Sequence, residues 1–378
     1  NVIQRPVATL TTAVGIALTV AIFIGALALA RGFQAALQRT GSPNNAIALR
    51  KGADGELSSG ISREATEIMR SNPAVALGPD GHALFSPEIL VLNNLPRLGQ
   101  PGSSNVSVRG IDRDALALRS QVRIVAGRMF TPGATELIVG QRMAVRFAHC
   151  NIGDRLRFRR QDFIVVGHFT AGGSAFESEI WGDNAVLMPV FRGDVFQSAT
   201  LRLKNAAAFA SLKREFETDP RLGIQLKRES DFYAEQSEML ARVIRFAGVF
   251  ITLIMAIGAV FGAMNTMYAA VGSRVREIAT LLVLGFSPFA IMVSFMIESV
   301  LLSVCGGLLG CVMALFINGI RTSTTNFQSF SELAFSFMVT PQILLAGLLF
   351  SIGMGVVGGF LPALRASRQP LARALRES

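Results

Sequence analysis

Residues 273–288 read SRVREIATLLVLGFSP. The charged residues Arg274, Arg276 and Glu277 come first, followed by Ile278, Leu281, Leu282 and Leu284, and the segment stops at Gly285 and Pro288. The apolar residues recur at roughly helical spacing, and glycine followed by proline is a helix-stop signal. Two long apolar runs flank the segment, at 243–271 and 291–317. An amphipathic helix wedged between two membrane spans is expected at the membrane surface, where it can dock onto something soluble.

Two further runs, 7–30 and 343–364, bring the number of candidate spans to four. Each is long enough for a hydrocarbon layer of ~30 Å, which takes about 20 mostly apolar residues. The chain has 378 residues, of which 51% are hydrophobic, and a formal net charge of +10. The run at 7–30 exceeds the ~7–15 residues of a signal-peptide core and has no small-residue cleavage site before Arg31, so it reads as a retained span. Four spans place Arg5, Arg274, Arg276, Arg365, Arg368, Arg373 and Arg376 on one side of the membrane. Loop 318–342, on the other side, holds only Arg321. The positive-inside rule then makes both termini and segment 273–288 cytoplasmic, with a large domain outside.

The predicted class is an α-helical membrane protein with four transmembrane helices and an α+β extracytoplasmic domain inserted between helices 1 and 2. The boundaries are a first span with its stalk (1–40), the outer domain (41–230) and a second stalk and span (231–271). Then come the cytoplasmic helix (272–290), a third span (291–317), a short outer loop (318–342), a fourth span (343–364) and a cytoplasmic tail (365–378). In the outer domain, strands are expected at 46–50, 83–92, 106–109, 136–139, 155–160, 163–169, 199–203 and 224–227. Pro87 should break the second of these, and Gln161-Asp162 should turn the 155–169 hairpin. Helices are expected at 62–70 with Ser62 as cap, at 112–118, at 141–148 and at 205–218. Strand–helix–strand units thus flank a β-richer insertion at about 105–190, which suggests one α+β lobe interrupted by another.

Several groups of residues are candidates for function. Residues 171–183, AGGSAFESEIWGD, form a glycine-rich acidic stretch that holds the only tryptophan. Glu177, Glu179, Asp183 and Trp181 would suit acid–base work on a sugar, an outer contact loop, or a plain structural loop. Arg155, Arg157 and Arg159, with Arg160 adjacent, line a strand that is either an anion site or an edge guarded by charge. Gly258/Gly262, Gly306/Gly310 and Gly355/Gly359 are small-residue pairs that permit close helix packing within the chain or with a second copy. Glu298 is the clear acid inside a span, and Asn265 is a candidate polar partner for it. Cys150, Cys305 and Cys311, and His82, His149 and His168, have neither disulfide nor metal spacing. No phosphate-binding loop of the G-x-x-x-x-G-K-[ST] type occurs, so nucleotide energy, if used, is expected from another chain. Nothing points to nucleic acid.

Four stretches in order complete the picture: NVIQRPVATLTTAVGIALTVAIFIGALALARGFQAAL at 1–37, RVREIATLLVLG at 274–285, ESVLLSVCGGLLG at 298–310 and GGFLPAL at 358–364. Together they resemble the FtsX-like, MacB-type (type VII) ABC transporter permeases. That resemblance implies two permease chains, alike or related, working with two ABC ATPase chains that carry the ATP and Mg. It makes 273–288 the coupling helix, with Arg274, Arg276 and Glu277 contacting the ATPase, Leu281 and Leu284 seated against it or the membrane, and Gly285 ending the helix. It also implies a bacterial inner-membrane location, a periplasmic outer domain and a periplasmic adaptor or lipid-binding partner. The implied work is mechanotransmission on a lipid, lipoprotein or other hydrophobic substrate. A non-transporting regulator of a cell-wall hydrolase is the alternative within that architecture. A stand-alone membrane enzyme centred on 177–183 is the alternative outside it.

Overall fold

The computed structural model describes residues 6–99, 101–191, 193–326 and 330–368. Arg5, Arg373 and Arg376, used above to orient the chain, lie outside the described residues. The chain forms two compact units. One comprises Asn1–Arg31, Arg242–Ile320 and Phe337–Ser378, the other Gly32–Ala241 with Arg321–Ser336.

The first helix is α1 (Pro6–Gln38). The chain then runs through β1 (Asn45–Arg50), β2 (Ile61–Ser62), α2 (Arg63–Arg70), β3 (Phe85–Pro96), β4 (Ser103–Ile111), α3 (Ala115–Leu118) and β5 (Arg123–Gly127). It continues through β6 (Glu136–Gly140), α4 (Gln141–Ala144), β7 (Arg155–Phe158), β8 (Gln161–Thr170), β9 (Glu179–Asp183) and α5 (Asn184–Phe191). β10 (Val195–Phe196), β11 (Ser198–Arg202), α6 (Phe209–Thr218) and β12 (Ile224–Arg228) complete this region. Local chemistry sets several of these bounds. The Ser62 side chain accepts from the Ala65 N–H and caps α2. Asn205 caps the turn that leads into α6, and Asp219-Pro220 ends that helix.

The interrupted-lobe expectation takes a different form. A single sheet runs in the order β12-β1-β11-β3-β4-β9-β6-β8-β5, with β7 added on β8. The long β3–β4 hairpin, paired from Ile89↔Gly110 to Pro96↔Ser103, joins its two halves. The apolar cores are nevertheless separate. One gathers Ala46, Phe85, Leu201 and Leu226 with residues of α2 and α6, and the other gathers Val91, Val108, Val139, Val165 and Ile180. Pro87 does not break β3. It stands opposite Ala199 of β11, and pairing to β4 starts only at Ile89, so its missing N–H removes no bond on that side. The β7–β8 turn is Arg159-Arg160 rather than Gln161-Asp162, because Phe158 pairs with Gln161 and Arg159 takes φ +53°.

The remaining elements are α7 (Glu229–Ser273), α8 (Val275–Val283), α9 (Pro288–Phe316), β13 (Arg321–Thr325), β14 (Glu332–Ser336) and α10 (Pro341–Ser367). Four helices, α1, α7, α9 and α10, are long and apolar enough to cross a membrane. The expected short loop at 318–342 instead contains the β13–β14 hairpin, and Arg321–Ser336 belongs to the sheet-containing unit. Arg97 (2.7 Å) and Arg146 both bond the Glu332 carboxylate, Arg142 donates to the Ala334 carbonyl, and the Ala334 N–H donates to Ser178 Oγ at 3.0 Å. Phe335 packs edge-on against Phe33. Gly32 is required here, since a Cβ would sit 2.0 Å from the Ser336 carbonyl oxygen.

Among the spanning helices, two of the three glycine pairs pack within the chain. A Cβ at Gly306 or Gly310 would meet the α1 carbonyls of Ala13 and Ala17 at 2.9 and 2.6 Å. A Cβ at Gly355 or Gly359 would meet Ser303 or Ser299 of α9 at 2.1 and 2.5 Å. Without a hydrophobic drive between helices in lipid, such close approach supplies the packing contacts. Gly258 and Gly262 of α7 meet nothing within 4 Å. Only 11% of the apolar window of α7 is buried, against 44%, 39% and 33% for α1, α9 and α10. Gly310→Val should therefore lower the stability of the detergent-purified chain by about 1–3 kcal/mol through overpacking. Gly258→Val should change it by less than about 0.5 kcal/mol. Thermal melts of the two variants side by side decide this, and equal losses would contradict the packing described.

Candidate functional site

The segment at 273–288 folds as predicted in kind. Arg274 breaks from α7, α8 follows, Gly285 takes φ +92° to reverse the chain, and the Ser287 hydroxyl accepts from the Ala290 N–H to cap α9. Pro288 occupies the first turn of α9, where a missing N–H costs nothing. Arg274 Nη1 bonds Glu298 Oε2 at 3.1 Å, and Nη2 bonds Oε1 at 3.4 Å. Glu298 lies ten residues into α9 from Pro288, roughly 15 Å along the axis at 1.5 Å per residue. The start of α8 is therefore anchored well along α9, and the two elements form a helical hairpin.

Ile278 and Ala279 face inward, and Ile278 joins Met267, Val271, Ile291, Phe295, Ala363 and Ala366 in one cluster. Arg276, Glu277, Leu281, Leu284, Phe286 and Phe289 are exposed, Leu284 by 70% and Phe289 by 68%. A groove of about 320 Å³ lies between α8 and α9, floored by Ile278, Ile291 and Phe295, with Arg274 and Glu277 in its lining. Two predicted placements are corrected. The Arg274 guanidinium is committed to Glu298 rather than presented outward, and Asn265 is exposed and is not the partner of Glu298.

The stretch at 177–183 is corrected more strongly. It is no outer contact loop. Glu179–Asp183 is β9, a central strand parallel to β4, and Trp181 is 0% exposed. Glu177 pairs with Arg142 at 2.9 Å and accepts from the Thr170 hydroxyl and the Ala171 and Gly173 N–H groups. Burial pushes the Glu177 carboxyl up, yet these donors and Arg142 bring it below the usual carboxylate range. Asp183 accepts from the N–H groups of Gly133 and Ala185. Glu177 and Glu179 are buried, and Asp183 is half-buried.

What the sequence reading missed is the centre of this unit. Arg109 of β4 uses all five of its N–H donors on three buried carboxylates. Nε and Nη2 bond Glu179 at 2.8 and 2.9 Å, Nη1 bonds Glu56 at 2.7 Å and Glu88 at 2.8 Å, and Nη2 reaches Glu56 again at 3.1 Å. Arg119, just after α3, bonds Glu88 at 2.6 and 3.0 Å and faces Glu229 at 3.7 Å. Phe176 lies under both guanidinium groups, and the Trp181 indole N–H donates to Glu179 at 2.7 Å. Glu229, the first residue of α7, also accepts from the Ser42 N–H and from Asn45, both at 2.9 Å. The available signal was a lone charge inside each apolar strand, as Glu88 in SPEILVL and Arg109 in VSVRGI. Such charges are almost never fully buried unless paired.

The two flanking acids respond oppositely to this setting. Burial would raise Glu56, but the charge and hydrogen bonds of Arg109 hold it below its usual 4.5. Burial raises Glu229 above 4.5, and Arg119 offsets that only in part. Burial opposes the charge on Arg119 as well, but Glu88 and then Glu229 more than compensate. The cluster is bonded to groups of the chain itself. It ties β3, β4, β9, the turn at Glu56–Ser58 and the first turn of α7 into one body.

Comparison with known proteins bears on both units. The family profile of the MacB-like periplasmic core domain matches residues 9–219, and that of the FtsX-like permease C-terminal region matches 249–371. The chain is 25% identical over 336 residues to the macrolide export ATP-binding/permease protein MacB 1 of Aeromonas hydrophila subsp. hydrophila, covering 82% of this chain and 49% of that protein. It is 25% identical over 295 residues to the uncharacterized ABC transporter permease YknZ of Bacillus subtilis, covering 72% of this chain and 70% of that one. The chain thus spans about half the length of the first of these relatives. The solved periplasmic region of MacB from Actinobacillus actinomycetemcomitans aligns with a TM-score of 0.39 at 12% identity, over 52% of this chain and 94% of that one.

Arg109→Ala should cost about 3–5 kcal/mol, the range for orphaning buried charges, read as a loss of melting temperature or of folded yield. The pH profiles of two milder variants should diverge. Glu56 contributes stability that is complete above pH 4.5 and lost below it, so the penalty of Glu56→Gln should shrink as the medium is acidified. Glu229 binds its proton more tightly folded than unfolded, so the parent chain loses stability as pH rises from 4.5 through that raised value. Glu229→Gln, which stays neutral, should gain on the parent over the same rise. Melts of both variants across the range test the opposite slopes.

Proposed function

Because the chain belongs to the FtsX-like, MacB-type family of ABC transporter permeases, we propose that it transmits the motion of a partner ATPase to its outer unit. In this reading the α8–α9 hairpin is the coupling element. The observation that carries it is the hairpin surface itself, where exposed Leu281, Leu284, Phe286 and Phe289 stand beside exposed Arg276 and Glu277 around an open groove. Apolar surface of this kind, rimmed by charge, marks protein–protein contact. The Arg274–Glu298 pair acts as the pivot that ties the start of α8 to α9.

The placement of the hairpin in the cytoplasm follows from the charge bias, with ATP and Mg carried by the ATPase. Pairing with a second permease chain is supported by α7, whose face of Ile254, Ile257, Gly258, Phe261 and Gly262 is exposed. Two copies, each with its ATPase, make the assembly symmetric. The five bonds of buried Arg109 and the hairpin latch at Glu332 favour an outer unit that moves as a body. That suits mechanotransmission to a lipid, lipoprotein or other hydrophobic cargo, with or without a periplasmic adaptor. Regulation of a cell-wall hydrolase by the same motion is the second reading, and the two differ only in what the outer unit holds.

Arg276→Ala with Glu277→Ala should leave the melting temperature of the chain unchanged, because both side chains are exposed. It should abolish co-purification of the ATPase or its stimulated turnover, and Leu284→Asp should do the same. Unaltered complex and unaltered turnover in both variants would remove the coupling assignment.

A further inference from the structure

The insertion half of the outer sheet carries an edge that the reading above does not use. β7 pairs with β8 on one side only, from Arg155↔Ile164 to Phe158↔Gln161, and is an added strand off the main path of the sheet. Leu156 and Phe158 are buried, while Arg155 and Arg157 alternate with them and are exposed. Arg159 and Arg160 form the exposed turn that follows. Arg157 has a long contact of 3.8 Å with Asp162, and among the described residues Arg155, Arg159 and Arg160 form no ion pair. Three apolar side chains lie exposed around the centre of β8. They are Ile164, which faces Arg155 across the strands, Ile152, whose neighbour Gly153 bonds Val165 O at 2.8 Å, and Val125 of β5.

We propose that the free edge of β7 takes up an extended acidic segment of a partner protein as an added strand. Charge on an edge strand ordinarily guards against such pairing. That guard works against apolar or basic strands and fails against one of opposite charge. Four guanidinium groups within six residues repel each other, and a partner carboxylate relieves that repulsion. Because Arg155 and Arg157 share one face, the complementary strand bears acids at alternate positions, and its intervening residues turn to the face of Leu156 and Phe158. Main-chain bonds to the β7 edge supply affinity and the alternating acids supply register, as in other strand-addition interfaces. A lipid headgroup would use neither the strand edge nor the alternation. The inference concerns the outer unit alone and stands independently of the ATPase reading.

The test uses the full chain in detergent and a labelled synthetic hexapeptide with glutamates at its second and fourth positions in a valine–threonine frame, read by fluorescence anisotropy. Binding is expected, weakening as salt is raised. Arg155→Glu with Arg157→Glu should weaken it at least about tenfold while the melting temperature holds, since both side chains are solvent-facing. A backbone N-methylated peptide with the same side chains should also bind at least about tenfold more weakly. Equal binding by the charge-reversed chain or by the N-methylated peptide overturns the proposal. So does absence of peptide binding up to about 1 mM, and so do phosphatidylglycerol vesicles that bind the edge where the peptide does not.

Discussion

One guanidinium, that of Arg109, sets the terms for the outer unit. Buried to 1% exposure, it is held by Glu56, Glu88 and Glu179, which come from a turn, from β3 and from β9. A charge so deep is tolerable only with every donor satisfied, because the cost of removing it from water must be met by several partners in good geometry. That requirement fixes positions as well as energies. The carboxylates have to arrive at fixed points around a planar fork, so the register of β4 against β9 and of β3 against β4 follows from it. Arg119 extends the same constraint to Glu229 and so to the start of α7.

The spanning unit rests on a different principle. Its helices meet where side chains are absent, at Gly306 and Gly310 against α1 and at Gly355 and Gly359 against serines of α9. An internal ion pair, Arg274–Glu298, sits where α7 gives way to α8. Packing is tight among α1, α9 and α10, whereas α7 is left largely uncovered. The hairpin of α8 and α9 likewise ends in exposed leucine and phenylalanine. Two apolar surfaces of the spanning unit, one along α7 and one at the end of the α8–α9 hairpin, are thus left exposed.

Much of this was legible in the residues. The four spans, the short helix at 273–288 and most strands of the outer domain followed from periodicity, glycine and proline. The family profiles agree with the resemblance drawn from the quoted stretches. The candidate site was legible in part. Leu281, Leu284, Arg276 and Glu277 are outward as the pattern implied, but Arg274 is not, because its partner Glu298 lies 24 residues on. Residues 171–183 misled for a related reason. Glycines and acids resemble a loop, and only the distant Arg109 and Arg142 make those acids acceptable inside a sheet. The hairpin at 321–336 was unseen because its small polar strand RTSTT has no apolar alternation of its own.

The sequence by itself determined what is local: which stretches are apolar enough to span a membrane, where helices begin and stop, and where charge gathers. These depend on neighbours a few residues apart, and a turn of helix or a strand pair is enough to express them. Tertiary structure alone decided which charges are buried, which glycines pack and which hairpin closes on which surface. Each of those depends on residues far apart in the chain, as Glu332 and Arg97 are, and on whether a distant partner is present to offset the loss of water.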